Sequence, residues 1–85
     1  MVIIKIENHA DVFSARRKAR NLADEEGFKS RKYLLLELTV SELASNIIKH
    51  AKNGKITIES SGEGIKIVSE DNGPGLEDVE KVLKD

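Results

Sequence analysis

Lys55-Ile56-Thr57-Ile58-Glu59 and Ile65-Lys66-Ile67-Val68 place isoleucines at every second position on either side of Ser61-Gly62-Glu63-Gly64. Successive side chains of a strand point to opposite faces, so this period of two, broken by a glycine-bearing turn, predicts a two-stranded antiparallel hairpin. Upstream the period lengthens. Leu36, Val40, Leu43 and Ile47 recur at helical spacing, and they predict a long helix that Ser30 can cap and that runs to about Ala51. Val12, Ala15, Ala19, Leu22 and Ala23 repeat the pattern one helix earlier. Asn8 and Asp11 suit its start, and Gly27-Phe28 suits its C-terminal cap. The short β-branched run from Val2 to Ile6 reads as a first strand.

Beyond the hairpin, the second strand runs into Asp71-Asn72-Gly73-Pro74-Gly75, where glycine and proline end regular pairing. Leu76, Val79, Val82 and Leu83 then recur as on a last short helix. The expected order is β-α-α-β-β-α within one domain, residues 1–85. Its class is α+β, with helices packed on one face of a small mixed or antiparallel sheet.

Eighty-five residues with 39% hydrophobic content build one small core. Fourteen basic and fifteen acidic residues are mixed along the chain, leaving a net charge of -1 and no basic field for a phosphate backbone, so nucleic acid is not an expected partner. Arg16, Arg17, Lys18 and Arg20 read as a solvated helix face. Cysteine is absent, which removes thiolate and disulfide chemistry. No apolar run is long enough for a membrane span, and the expectation is a cytoplasmic protein without membrane association.

Two groups of residues invite chemistry. Glu42, Asn46 and Lys49 are spaced by four and three, so on a helix their side chains line one polar strip. A carboxamide oxygen, an ammonium and a carboxylate in a row suit a magnesium nucleotide: Asn46 as hard oxygen ligand, Lys49 against phosphate, Glu42 as proton acceptor. Taken alone, the strip equally describes an ordinary solvated helix. Asp71, Gly73 and Gly75 stand at a strand exit, where the backbone can bend tightly against a flat ligand, although the same residues also make plain turns. The order of the two groups, with a hairpin between them, is more restrictive than either.

Glu42-Leu43-Ala44-Ser45-Asn46-Ile47-Ile48-Lys49-His50-Ala51 resembles the N box, and Glu70-Asp71-Asn72-Gly73-Pro74-Gly75-Leu76 the first glycine box, of the GHKL ATPases. Within that superfamily the chain is most similar to the anti-sigma-factor serine kinases and the stressosome switch serine kinase. The resemblance implies a histidine-kinase-like ATPase (Bergerat) fold that binds ATP with Mg2+. It implies Glu42 as general base, Asn46 as magnesium ligand and Asp71 as acceptor of a hydrogen bond from the adenine amino group. Gly73 and Gly75 match glycines that shape the adenine pocket, and Lys49 matches a phosphate-facing position. The implied partners are adenine nucleotide and a regulatory protein carrying the serine. His50 reads as a residue of the helix end.

Relatives continue through a lid and a second glycine-rich box around the β and γ phosphates. No segment of these 85 residues matches either. Phosphoryl transfer rests on positioning and electrostatic stabilisation of the γ phosphate, so turnover is expected to need a completing segment or partner. A sheet edge left bare by the shortened fold is a template for pairing, and a homodimer or a partner-bound state is expected. The alternative function is a protein-interaction module that keeps the fold with weak or no nucleotide binding.

Overall fold

The computed structural model describes residues 1–27, 30–51, 53–61, 64–71 and 79–83. Strand β1 (Val2–Ile6) leads through a two-residue turn into helix α1 (His9–Glu25), and α2 (Ser30–His50) follows. Three strands come next, β2 (Gly54–Ser61), β3 (Gly64–Asp71) and β4 (Val79–Leu83). The sheet order is β1-β2-β3-β4, every pair antiparallel, with the helical hairpin inserted between the first two strands.

Local chemistry explains the boundaries. The Asn8 side chain accepts from the Asp11 backbone N–H at 3.2 Å, and the Asp11 carboxylate accepts from the Asn8 N–H at 3.1 Å and the Glu7 N–H at 2.8 Å. This capping box satisfies donors that the first helical turn would otherwise leave unpaired. At the other end Gly27 takes φ of 75°, a left-handed conformation that glycine adopts without a Cβ penalty. Phe28, expected to join that cap, lies outside the described residues.

The alternation predicted for the hairpin is what builds the core. Ile56 and Ile58 of β2, Ile65 and Ile67 of β3, and Ile4 and Ile6 of β1 are buried on one face of the sheet. The helices lay Val12, Ala15, Ala19, Ala23, Leu36, Val40, Leu43, Ala44 and Ile47 against them. Each fully buried isoleucine contributes about 1.5–3 kcal/mol. Arg20 holds the helices in register from outside: its guanidinium lies 3.5 Å from the Glu37 carboxylate and 5.8 Å from the Tyr33 ring centroid. The opposite sheet face carries cross-strand ion pairs, Lys55–Glu70 at 3.6 Å, Lys66–Glu59 at 4.0 Å and Lys66–Glu80 at 3.6 Å.

One expected element is of the other kind. Val79–Leu83 is a strand, not the last turns of a helix, and it pairs along β3 from Ile65↔Leu83 to Ser69↔Val79. The helical spacing of Leu76, Val79, Val82 and Leu83 treats Val82 as inward-facing, whereas Val82 is exposed and Val79 and Leu83 pack on the core. Pairing satisfies the outer backbone groups of β3, and that long-range gain outweighs the local period.

Candidate functional site

Helix α2 and the exit of β3 meet at a glycine. Gly54 opens β2 and pairs with Asp71, the last residue of β3, on one side and with Ile6 on the other. The Cβ that Gly54 lacks would sit 3.0 Å from the Asp71 Cα and 3.1 Å from the Ile47 Cγ2, and would overlap the Glu70 carbonyl oxygen. Asp71 and Ile47, the neighbour of Asn46, therefore lie within one short radius of the same point. Only a residue without a side chain lets helix and strand close together there.

Asp71 shares its parity along β3 with the buried Ile65, Ile67 and Ser69, so its side chain leaves the sheet on the helix-covered face. It is half-buried. On α2, Glu42 and Lys49 are exposed and Asn46 is half-buried, all three within about 60° of the helix circumference. His50 is exposed at the helix end. Gly73 and Gly75 lie outside the described residues.

A cavity of about 490 Å³ opens beside Asp71, lined also by Lys5, Glu7, Asn53, Gly54, Lys55 and Glu70. Lys5, Lys55 and Glu70 belong to the uncovered face, so the cavity wraps around the end of the sheet. Of the described residues singled out from sequence, it takes in Asp71 alone. Glu42, Asn46 and Lys49 are not among its described lining residues. Gly54, Lys5 and Glu7 were not picked out by their residue types. For Gly54 a signal existed, because the hairpin register that pairs Ser61 with Gly64 also pairs Gly54 with Asp71.

Among the described residues no cluster of three or more His, Cys, Asp or Glu side chains could hold a metal ion. The strip itself carries one carboxamide, Asn46, and one carboxylate, Glu42, donors of the kind that suit Mg2+, which is commonly held by few protein oxygens together with phosphate and water. No helix among the described residues is long and apolar enough to cross a membrane.

A family model described as the histidine kinase-like ATPase domain matches residues 7–85. The chain is 38% identical over 86 residues to the serine/threonine-protein kinase RsbT of Bacillus subtilis (strain 168). That match covers 96% of this chain and 65% of the relative, so the chain spans just under two thirds of the relative's length. No solved structure matches.

Proposed function

Because the chain belongs to the histidine kinase-like ATPase family, we propose that it binds an adenine nucleotide with Mg2+ and acts on a regulatory protein as a serine/threonine kinase of the anti-sigma-factor or switch branch. Asp71 accepts a hydrogen bond from the adenine amino group, with Gly73 and Gly75 shaping the pocket around the ring. Asn46 offers its carboxamide oxygen to Mg2+, and Lys49 faces phosphate. Bound ATP supplies the phosphoryl group, and Glu42 takes the proton of the attacking hydroxyl. The setting is the cytoplasm. Turnover draws on a lid and phosphate-binding segment of the kind the GHKL resemblance implies, whether carried by the same polypeptide or by another.

One observation supports this reading: Ile47, the chain neighbour of Asn46, and Asp71 both lie against Gly54, so α2 and the β3 exit pack together there. The cavity beside Asp71 is also of the size that small-molecule sites occupy, about 300–1,000 Å³. A second reading, an interaction module without turnover, draws on Leu34, Leu35 and Leu38. These three are exposed on α2, and Leu35 and Leu38 share the face of Glu42.

Calorimetric titration of ATP and ADP, with and without Mg2+, tests the nucleotide reading. Binding is expected for the wild type, lost in Asp71→Asn, and stripped of its Mg2+ dependence in Asn46→Ala. Glu42→Gln is expected to bind normally. No heat from either nucleotide at millimolar concentration overturns the kinase reading and leaves the interaction module.

A further inference from the structure

We infer that Ser69 is a second base-contacting residue of the nucleotide site, its hydroxyl donating to N1 of the adenine whose amino group Asp71 accepts from. The inference rests on the nucleotide reading and adds to it a residue that neither sequence motif contains.

Ser69 is 6% exposed and is the one buried polar side chain among the described residues. Core packing does not ask for it. The inward positions of β3 run Ile65, Ile67, Ser69 and Asp71 toward the exit, and the cross-strand partners of Ser69 are Ile56 on β2 and Val79 on β4. A β-branched apolar side chain suits such a covered, pleated position better than serine does. A hydroxyl taken out of water there is unfavourable unless it is hydrogen-bonded. Among the described residues no side chain or backbone group bonds the Ser69 hydroxyl. No side-chain oxygen or nitrogen among them is sealed from solvent without a partner either, so the Ser69 oxygen keeps an opening to the outside. A hydroxyl almost wholly buried, without a partner in the chain and still reachable, is placed to meet a ligand.

The ligand atom it meets follows from the chemistry of the base. Ser69 and Asp71 are two residues apart on one strand face, a separation of about 7 Å. Two neighbouring polar groups of a purine edge, with a hydrogen bond at each end, bridge such a span. With Asp71 accepting from the 6-amino group, the ring nitrogens flanking that group are N1 and N7. The five-membered ring carries the ribose at N9, and ribose and phosphates lead out toward Asn46 and Lys49, so the six-membered ring and its N1 turn inward. N1 of adenine is an acceptor, and a serine hydroxyl is a donor that rotates to suit it.

The contact is tested by calorimetric titration of the whole chain, in Mg2+, with ADP and with 1-deaza-ADP, in which a C–H group replaces N1. The wild type is expected to bind ADP about three- to tenfold more tightly than the analogue. Ser69→Ala is expected to weaken ADP by that factor, to leave the analogue nearly unchanged, and so to bind the two alike. A purely structural effect of the substitution would lower both affinities together and keep their ratio. Circular dichroism confirms that the variant keeps the fold. A wild type that binds both nucleotides equally overturns the inference, and so does a Ser69→Ala protein that keeps the wild-type ratio; in either case ADP binding itself upholds the nucleotide reading. A wild type that takes up neither nucleotide overturns that reading and this inference together.

Discussion

Gly54→Ala adds a single methyl group at the junction of helix and sheet, and its cost can be worked out from what surrounds the position. The new Cβ overlaps the Glu70 carbonyl oxygen and sits 3.0 Å from the Asp71 Cα and 3.1 Å from the Ile47 Cγ2. Two of these three atoms are backbone of the paired strand, which no rotamer change can move. The third belongs to a fully buried isoleucine. Inserting a methyl into packed surroundings costs about 1–3 kcal/mol, and a backbone obstacle places this case in the upper half of that range. At about 4–8 °C per kcal/mol for a domain of this size, the melting temperature is expected to fall by about 10–20 °C. Gly27→Ala provides the contrast. Nothing lies within 4 Å of its added Cβ, and only the positive φ opposes it, so a loss of about 1 kcal/mol is expected. Asparagine, which tolerates that φ, is expected to recover part of the loss at position 27 and to worsen it at position 54. Thermal unfolding followed by circular dichroism reads all four variants. A Gly54→Ala protein that melts within about 2 °C of the wild type would falsify the argument that this glycine is there for space.

Asn8→Ala removes the side-chain half of the capping box and is expected to lower stability by about 1 kcal/mol in urea unfolding, with an unchanged m value. Ile47→Ala leaves a void between α2 and the end of the sheet. A loss of about 2–5 kcal/mol is expected in the same assay, and a loss comparable to that of Asn8→Ala would show that the contact with Gly54 is loose.

The parts of the fold readable from sequence are those where local pattern and long-range packing ask for the same thing. The isoleucines of 56–58 and 65–67 alternate because one face of the hairpin is buried. Leu36, Val40, Leu43 and Ile47 repeat at helical spacing because one stripe of α2 covers that face. Val79–Leu83 breaks the agreement. Its apolar residues fit a helical period better than a strand period over so short a span, and the choice is made by β3, whose outer backbone groups a local reading does not see. The candidate site divides in the same way. Glu42, Asn46 and Asp71 stand out by residue type and spacing. Gly54 does not, because its importance lies in being opposite Asp71 and beneath Ile47, a fact of register and packing. Lys5 and Glu7 enter the cavity only because β1 returns to lie beside β2.

The insertion of the helical hairpin between β1 and β2 also bears on how the chain finds its shape. β2 and β3 pair with only two residues of sequence between them, whereas β1 pairs with β2 only after residues 7–53 have been closed into a loop. Each doubling of such a loop costs about 0.6 kcal/mol of chain entropy, so β1 is the strand whose place in the sheet is earned last. Val2, Ile4 and Ile6 can dock only onto a layer that α1 and α2 have already roofed. The outer edge of β1 is therefore a surface of the finished molecule and is missing from its half-folded forms, in which the edge of β2 that β1 later covers stands bare instead.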